Sequence, residues 1–174
     1  MATTNWVLDP THSEVNFKIK HLMITNVSGS FGNLSGNLTA EGDNFSNAQV
    51  NFSADTGTVN TNNADRDNHL KSGDFFDAEQ YPQIKFETNN YNAASGTVTG
   101  NLTIKDVTKP VTLDVEFNGV NKDPWGNHKA GFSLSGKINR KDFGLNWNAA
   151  LETGGVLVSE DVKINAEVQF VQQG

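Results

Sequence analysis

Residues 162–170 read VKINAEVQF, and this stretch indicates the fold class because every second residue in it is apolar. Strict alternation over such a length is the pattern of a β-strand with one dry face and one wet face. The same period of two recurs in seven other stretches, which are 14–20, 27–40, 48–54, 83–87, 98–104, 111–117 and 130–138. The pattern therefore predicts eight strands, and their two-sided character is typical of antiparallel pairing.

One of these stretches changes face partway along. Val27 and Phe31 share one parity, whereas Leu34 and Leu38 share the other. A β-bulge produces such a shift, and Gly32 is the expected position. Since an open sheet of eight strands would leave edges exposed, we predict an all-β fold in which an eight-stranded antiparallel barrel closes on itself.

Residues 62–82 break the alternation and predict a short helical insert between strands 3 and 4. Asn63 is suited to cap the start of a helix, and Asp65 and Asp67 suit the positive end of its dipole. Gly73 is the expected end of this helix. No linker or repeat divides the chain, so we expect one domain over residues 1–174.

Composition limits the kinds of partner. The 20 acidic residues outnumber the 13 basic ones, giving a formal net charge of -7. This charge argues against nucleic acid, and against docking on anionic lipid head groups by charge alone. The absence of cysteine excludes disulfides. The sequence contains no apolar run of the length that would predict a leader or an integral membrane segment. We therefore expect a cytoplasmic protein as written, or a periplasmic or secreted one if a leader has been removed.

The barrel interior is the expected functional site. An eight-stranded barrel is either filled by side chains or holds one slim ligand. Inward glycines such as Gly29 and Gly100 either leave room for a ligand or let the strands bend, and the pattern leaves both open. An apolar channel favours a long apolar molecule, because each buried CH₂ contributes ~0.8 kcal/mol. The apolar residues expected to bind it are Phe17, Ile19, Phe31, Phe52, Phe75, Phe76, Phe86, Leu102, Phe132, Leu134 and Trp147.

A few polar residues are candidates for binding a polar head group or for forming the rim. They are Ser13, His21, Arg66, Asp67, His69 and Arg140. The alternative is that each of them faces solvent or holds the insert on the barrel. The four histidines form no paired metal-binding motif, so no metal site is expected. Ser13 follows His12, but neighbours on a strand point to opposite faces, so no catalytic dyad is expected either.

Four motifs resemble the YceI-like family over essentially the whole chain. They are WVLDPTHSEVNF at 6–17, DRDNHL at 65–70 with DFFD at 74–77, GNLTIKDVTKPV at 100–111, and INRKDFGLNW at 138–147. The resemblance implies a lipocalin-like bacterial barrel that binds polyisoprenoid or related long-chain amphiphiles in its cavity. Many members of the family are periplasmic or secreted, and the resemblance also allows a homodimer.

The leading hypothesis is therefore a soluble, non-enzymatic carrier or store of a polyisoprenoid or fatty-acyl lipid. That bound lipid would be its partner, with no other cofactor. One alternative is an enzyme that acts on an isoprenoid or acyl lipid, and a metal requirement would favour it. The other is a structural barrel with a filled core, which a cavity too small for an alkyl chain would favour.

Overall fold

Nine antiparallel strands build one closed sheet in a computed structural model that describes residues 3–21, 24–41, 45, 47–145 and 158–173. The strands are β1 (Thr3–Leu8), β2 (Glu14–His21), β3 (Thr25–Glu41), β4 (Gln49–Asn60), β5 (Gln83–Asn92), β6 (Thr97–Ile104), β7 (Val107–Lys122), β8 (His128–Asn139) and β9 (Val158–Gln173). One α-helix, α1 (Ala64–Lys71), and two 3₁₀ turns, Pro10–His12 and Arg140–Phe143, complete the described elements.

The nine strands occupy eight positions around the barrel. Both β1 and β2 pair with β3 on one side and with β9 on the other. Val7 lies opposite Asn37, and Val15 lies opposite Phe31, so β1 and β2 follow one another along the same line. The remaining strands pair in chain order from β3 to β9. The predicted eight-stranded antiparallel barrel is thus confirmed, with one of its positions filled by an interrupted strand.

Asp9 organises that interruption. Its carboxylate accepts hydrogen bonds from the Thr11 N–H at 3.0 Å and from the Thr11 hydroxyl at 2.6 Å, and it lies 2.8 Å from His12 Nδ1. The Lys129 ammonium lies 3.3 Å away, which ties the turn to β8. Burial pushes the pKa of Asp9 upward, but these hydrogen bonds outweigh it, and the pKa falls well below its usual range.

The predicted irregularity in the long strand β3 is confirmed at Gly32. The register between β3 and β4 shifts on both sides of Gly32, and Asn33 adopts a left-handed φ of 50°. Beyond this point Leu34 and Leu38 are buried, whereas Ser35 and Asn37 are exposed. The bulge therefore lets both halves of β3 turn their apolar side chains to the interior.

The helical insert lies between β4 and β5, which are the third and fourth barrel positions, as predicted. Asn63 caps α1, and its side chain accepts a hydrogen bond from the Arg66 N–H at 3.0 Å. The helix ends at Lys71 rather than at Gly73, because the Ser72 N–H and hydroxyl both donate to the His69 carbonyl. Gly73 therefore follows the C-cap directly, and Ser72 rather than the glycine supplies the capping hydrogen bonds.

Aromatic rings fill one end of the barrel, which we call the closed end. The ring of Phe45, from the connection between β3 and β4, is 1% exposed. Its centroid lies 5.3 Å from each of the rings of Trp6, Phe117 and Phe132. The opposite end, which carries α1 and the β2–β3 connection, we call the mouth. No helix in the described part of the chain is long and apolar enough to cross a membrane.

Candidate functional site

An elongated cavity of about 550 Å³ occupies the barrel between the closed end and α1. Small-molecule sites in proteins measure roughly 300–1,000 Å³, so this volume falls within the range of ligand sites. The wall is almost wholly apolar and draws on every strand from β2 to β9. A filled core, one of the alternatives left open by the sequence, does not match this interior.

The burial of β9 shows how open the interior is. Ile164, Ala166 and Val168 point into the barrel and line the cavity, yet each keeps part of its surface accessible. In a packed core these side chains would be fully buried. The outward neighbours Lys163 and Asn165 are exposed, so the strand keeps its alternation. The inner face is therefore an apolar wall whose side chains are only partly covered by their neighbours.

Inward glycines let large rings approach this wall closely. A Cβ atom on Gly100 would lie 2.7 Å from Cζ of Phe86, and one on Gly29 would lie 2.7 Å from Cε1 of Phe17. Each ring thus occupies the space that a side chain at the glycine would need. The sequence left two roles open for these glycines, and the structure gives a third: they make room at the wall for neighbouring aromatic rings.

The mouth is bordered by α1. Asp65 and Arg66 are exposed residues that also line the cavity, so the cavity reaches solvent between this helix and the barrel. Arg66 donates from Nε to the Thr61 hydroxyl and from Nη2 to the Thr61 carbonyl, both at 2.7 Å. Asp67 accepts from the Thr61 N–H at 2.8 Å. These bonds attach the helix to the end of β4.

Further contacts join α1 to the turn that follows it. His69 Nε2 lies 2.9 Å from the Asp74 carboxylate, and its ring meets Phe75 edge-on at 5.1 Å. Phe76 packs edge-on against Phe31 at 5.4 Å. The polar side chains of α1 at the mouth therefore lie next to a layer of aromatic rings inside the barrel.

Arg140 supplies a buried cation at the same end. It is 2% exposed and lines the cavity. Its Nε donates to the Ser159 carbonyl at 2.9 Å, and Nη1 donates to the Leu145 carbonyl. Burial lowers the pKa of Arg140, and the nearby Glu160 carboxylate partly opposes that shift. Both arginines named from the sequence thus border the mouth half of the cavity, one at its rim and one in its wall.

Ten of the apolar residues named from the sequence line the cavity: Phe17, Ile19, Phe31, Phe52, Phe75, Phe76, Phe86, Leu102, Phe132 and Leu134. Trp147 lies outside the described residues. Among the polar candidates, Arg66, His69 and Arg140 also line the cavity.

Two other polar candidates are engaged elsewhere. The Ser13 hydroxyl accepts a hydrogen bond from the Gln169 N–H at 3.0 Å, which joins the interrupted strand to β9. The Asp67 carboxylate accepts from the N–H and hydroxyl of Thr61. Ser13 therefore joins two parts of the wall, and Asp67 holds α1 to the end of β4. His21 ends β2 at the mouth.

Several cavity residues were not singled out from the sequence. The largest group consists of inward positions on β7 and β9: Val111, Leu113, Val115, Val162, Ile164, Ala166 and Val168. Their parity already marked them as inward, so the alternation alone could have named them. Phe45 also lines the cavity. It lies outside any alternating stretch and gave no such signal.

The described residues contain no group of three or more His, Cys, Asp or Glu side chains placed to hold a metal ion. With an apolar wall and two arginines at one end, the arrangement is suited to hold a long apolar molecule whose polar end lies at the mouth. These features define a lipocalin-like binding barrel.

Comparison with known proteins assigns the family. A model of the YceI-like domain matches residues 6–170, and the chain belongs to this family. It is 45% identical over 170 residues to a UPF0312 protein of Staphylococcus aureus, covering 96% of this chain and 97% of that protein.

Solved structures share the fold. A Campylobacter jejuni YCEI protein aligns with a TM-score of 0.74 and 37% identity, over 90% of this chain and 91% of that chain. Burkholderia cenocepacia BcnA aligns with a TM-score of 0.76 and 22% identity, over 93% and 98%. A polyisoprenoid binding domain from Saccharophagus degradans, implicated in plant cell wall breakdown, aligns with a TM-score of 0.73 and 16% identity, over 97% and 98%.

Proposed function

We propose that this protein binds one long-chain apolar lipid, of the polyisoprenoid or a related amphiphilic type, and carries or stores it without chemical change. The observation that carries the proposal is the apolar cavity of about 550 Å³ that runs from the closed end to the mouth. The Saccharophagus degradans domain, named for polyisoprenoid binding, has the same fold and supports the choice of ligand class.

The length of the cavity fits such a chain. Inward residues of β9 line it from Val162 to Phe170, which is eight residue steps. At ~3.3 Å per residue this is about 26 Å along the strand, or about 20 Å along the axis for a strand tilt of roughly 40°. One leaflet of a bilayer core is about 15 Å thick, so the cavity accommodates a chain that would otherwise span one leaflet.

The energetics need no polar contact along the chain. Each CH₂ moved from water into the cavity contributes ~0.8 kcal/mol, so about ten of them supply the binding free energy of a micromolar complex. The polar end of the ligand then lies at the mouth, beside Arg66 and Arg140. A head group that carries oxygen atoms would accept hydrogen bonds from these guanidinium groups, while an ammonium group there would be repelled.

Native mass spectrometry of the purified protein, followed by solvent extraction, tests the proposal. We expect a discrete adduct of one lipid per protein, released into organic solvent as an apolar chain compound. If none is retained during purification, incubation with a polyprenyl alcohol and with a fatty acid should produce the adduct. Only the apo mass after both incubations would overturn the proposal.

The head-group assignment has its own test, which uses Arg66→Met. This change should weaken binding of a polyprenyl phosphate more than binding of the hydrocarbon without a head group, because only the former contacts the guanidinium. Lys71→Met is the matched control, since Lys71 lies on the same helix and is not among the cavity residues. Equal loss for both ligands in Arg66→Met would remove the head-group role.

A further inference from the structure

Lysines are concentrated at the mouth. Of the 13 lysines and arginines, only Lys122 and Lys129 lie at the closed end, where β7 ends and β8 begins. Lys129 there is within 3.3 Å of Asp9 and 3.8 Å of Asp123. The other basic residues lie in the insert, in the mouth-side turns, or within a few residues of the strand ends at the mouth. The mouth side also carries carboxylates, including Asp106, Glu160 and Asp161, whereas the closed half has few basic residues to offset its acidic ones.

The outer wall formed by β2, β9 and β8 shows this gradient residue by residue. From mouth to closed end, three successive outward rows of directly paired residues are Lys18, Lys163 and Lys137; Asn16, Asn165 and Ser135; and Glu14, Glu167 and Ser133. All three lysines are exposed. Over these three rows the wall changes from cationic to neutral to acidic within four residues along each strand, while Asp161, paired with Asn139 one row nearer the mouth, adds a negative charge there.

Directly opposed lysines carry a cost to folding, because like charges paired across strands repel. Lys137 approaches Asp161 at 3.6 Å, but both side chains are about 60% exposed, so the pair is weak. Within the described ranges Lys18 and Lys163 form no ion pair. A row of three such lysines is more easily explained by an external anionic surface than by the stability of the barrel.

An apolar side chain stands beyond this row. Ile24, in the connection between β2 and β3, is 78% exposed. It follows the strand that carries Lys18 and Lys20, so an exposed apolar side chain and the lysines approach the same surface together. Shallow insertion of an apolar group combined with attraction of cations to anionic lipids is the usual way in which a protein lies on a membrane.

We propose that the lysine row Lys18–Lys163–Lys137, together with Ile24, docks this protein on an anionic lipid bilayer with the mouth turned toward the membrane. The overall net charge does not prevent this. The acidic row Glu14–Glu167 lies four residues from the lysine row, about 13 Å along the strand, and this exceeds the Debye length of about 8 Å at physiological ionic strength, so its repulsion is largely screened. Docking at this surface would bring the mouth to the phase in which a long-chain lipid is dissolved.

The purpose of docking rests on the proposed lipid function, but docking itself can be measured without any cavity ligand. Cosedimentation with vesicles of phosphatidylcholine, with and without phosphatidylglycerol, measures it directly. We expect binding to the mixed vesicles at low salt, its loss at high salt, and little binding to phosphatidylcholine alone. The absence of binding to mixed vesicles by the wild-type protein would overturn the proposal and leave the row available for an acidic protein partner.

Variants locate the surface. The triple change Lys18→Gln, Lys163→Gln and Lys137→Gln should lower the vesicle partition coefficient about 100-fold, since each lysine near an anionic surface contributes about a factor of five. The matched control, with the same change of charge at the other side of the mouth, is Lys85→Gln, Lys105→Gln and Lys109→Gln. It should lower binding far less, and an equal loss in both triples would refute docking through this row.

One further readout separates this proposal from the proposed function. Native mass spectrometry of the lysine-row triple variant with a polyprenyl alcohol in detergent-free solution should show the same adduct as the wild type. If the folded variant forms no lipid adduct, the lysines act on ligand binding in the cavity, and the docking role is refuted. Retained vesicle binding by a protein that takes up no lipid would instead refute the cavity function and leave docking in place.

Discussion

Filling the cavity should separate ligand binding from stability. Ala166 is an inward residue of β9 that lines the cavity midway between Val162 and Phe170. The variant Ala166→Phe adds six carbon atoms there. If the new ring displaces six carbons of the ligand at ~0.8 kcal/mol each, binding loses about 5 kcal/mol, which raises Kd by roughly three to four powers of ten.

The same change should not weaken the fold. The new ring occupies part of the cavity that no side chain fills. We therefore expect the free energy of unfolding of the apo protein to rise by about 0.5–2 kcal/mol. The control is Asn165→Phe, which places the same ring on the outside of the same strand, opposite Asn16 and Ser135. It should leave ligand affinity unchanged.

The assay is titration with a dansyl-labelled fatty acid, with a polyprenyl alcohol as competitor, beside urea unfolding of each apo protein. Opposite effects of Ala166→Phe on affinity and on stability are the expected outcome. If Ala166→Phe folds and binds the ligand as tightly as Asn165→Phe does, the lipid chain does not lie in the barrel. The cavity is then not the binding site.

Three further predictions concern the fold. Gly100→Ala should cost about 1–3 kcal/mol in urea unfolding, because its Cβ would lie 2.6 Å from the Glu87 carbonyl oxygen. Gly57→Ala, with nothing within 4 Å, should be neutral or slightly stabilising, and equal costs would contradict the close packing. Asp9→Asn should cost about 1–3 kcal/mol at pH 7. That difference should shrink as the pH falls below ~3.9, because protonation removes the advantage of a carboxylate whose pKa is lowered by folding. A difference that persists at low pH in thermal melts would show that the charge is not responsible. Phe45→Ala should cost about 3–5 kcal/mol, as it removes the ring that contacts three others at the closed end, and a small loss of stability in calorimetry would mean that the end repacks.

The alternation of apolar residues was sufficient to predict the barrel. It located all eight positions, and the parity change in β3 located the bulge at Gly32. The short strand β1 was missed as a separate element because Thr3–Leu8 is followed by Asp9 and Pro10 and carries few alternating residues. Its place follows only from pairing with β3 and β9, which no local pattern encodes.

The cavity was predicted better along its wall than at its ends. Inward parity marks wall residues directly, so most named aromatic residues line the cavity. The roles of Ser13 and Asp67 depend on which backbone N–H groups lie within reach, and that is settled by the tertiary fold. Phe45 closes one end from a connecting segment, where no periodicity distinguishes a buried ring from an exposed one.

The cavity is not complete until β9 has been made, because this strand closes the wall of the barrel. This strand pairs with β8 and also with β1 and β2, the first strands to be made. While the ribosome is still adding residues 158–173, the barrel lacks the strand β9, and its apolar inner face is exposed to water. Pairing between residues so far apart in sequence is slow compared with the formation of local hairpins. If the protein holds a lipid as proposed, loading follows the synthesis of β9, and until then the nascent chain exposes an incomplete apolar interior to aggregation.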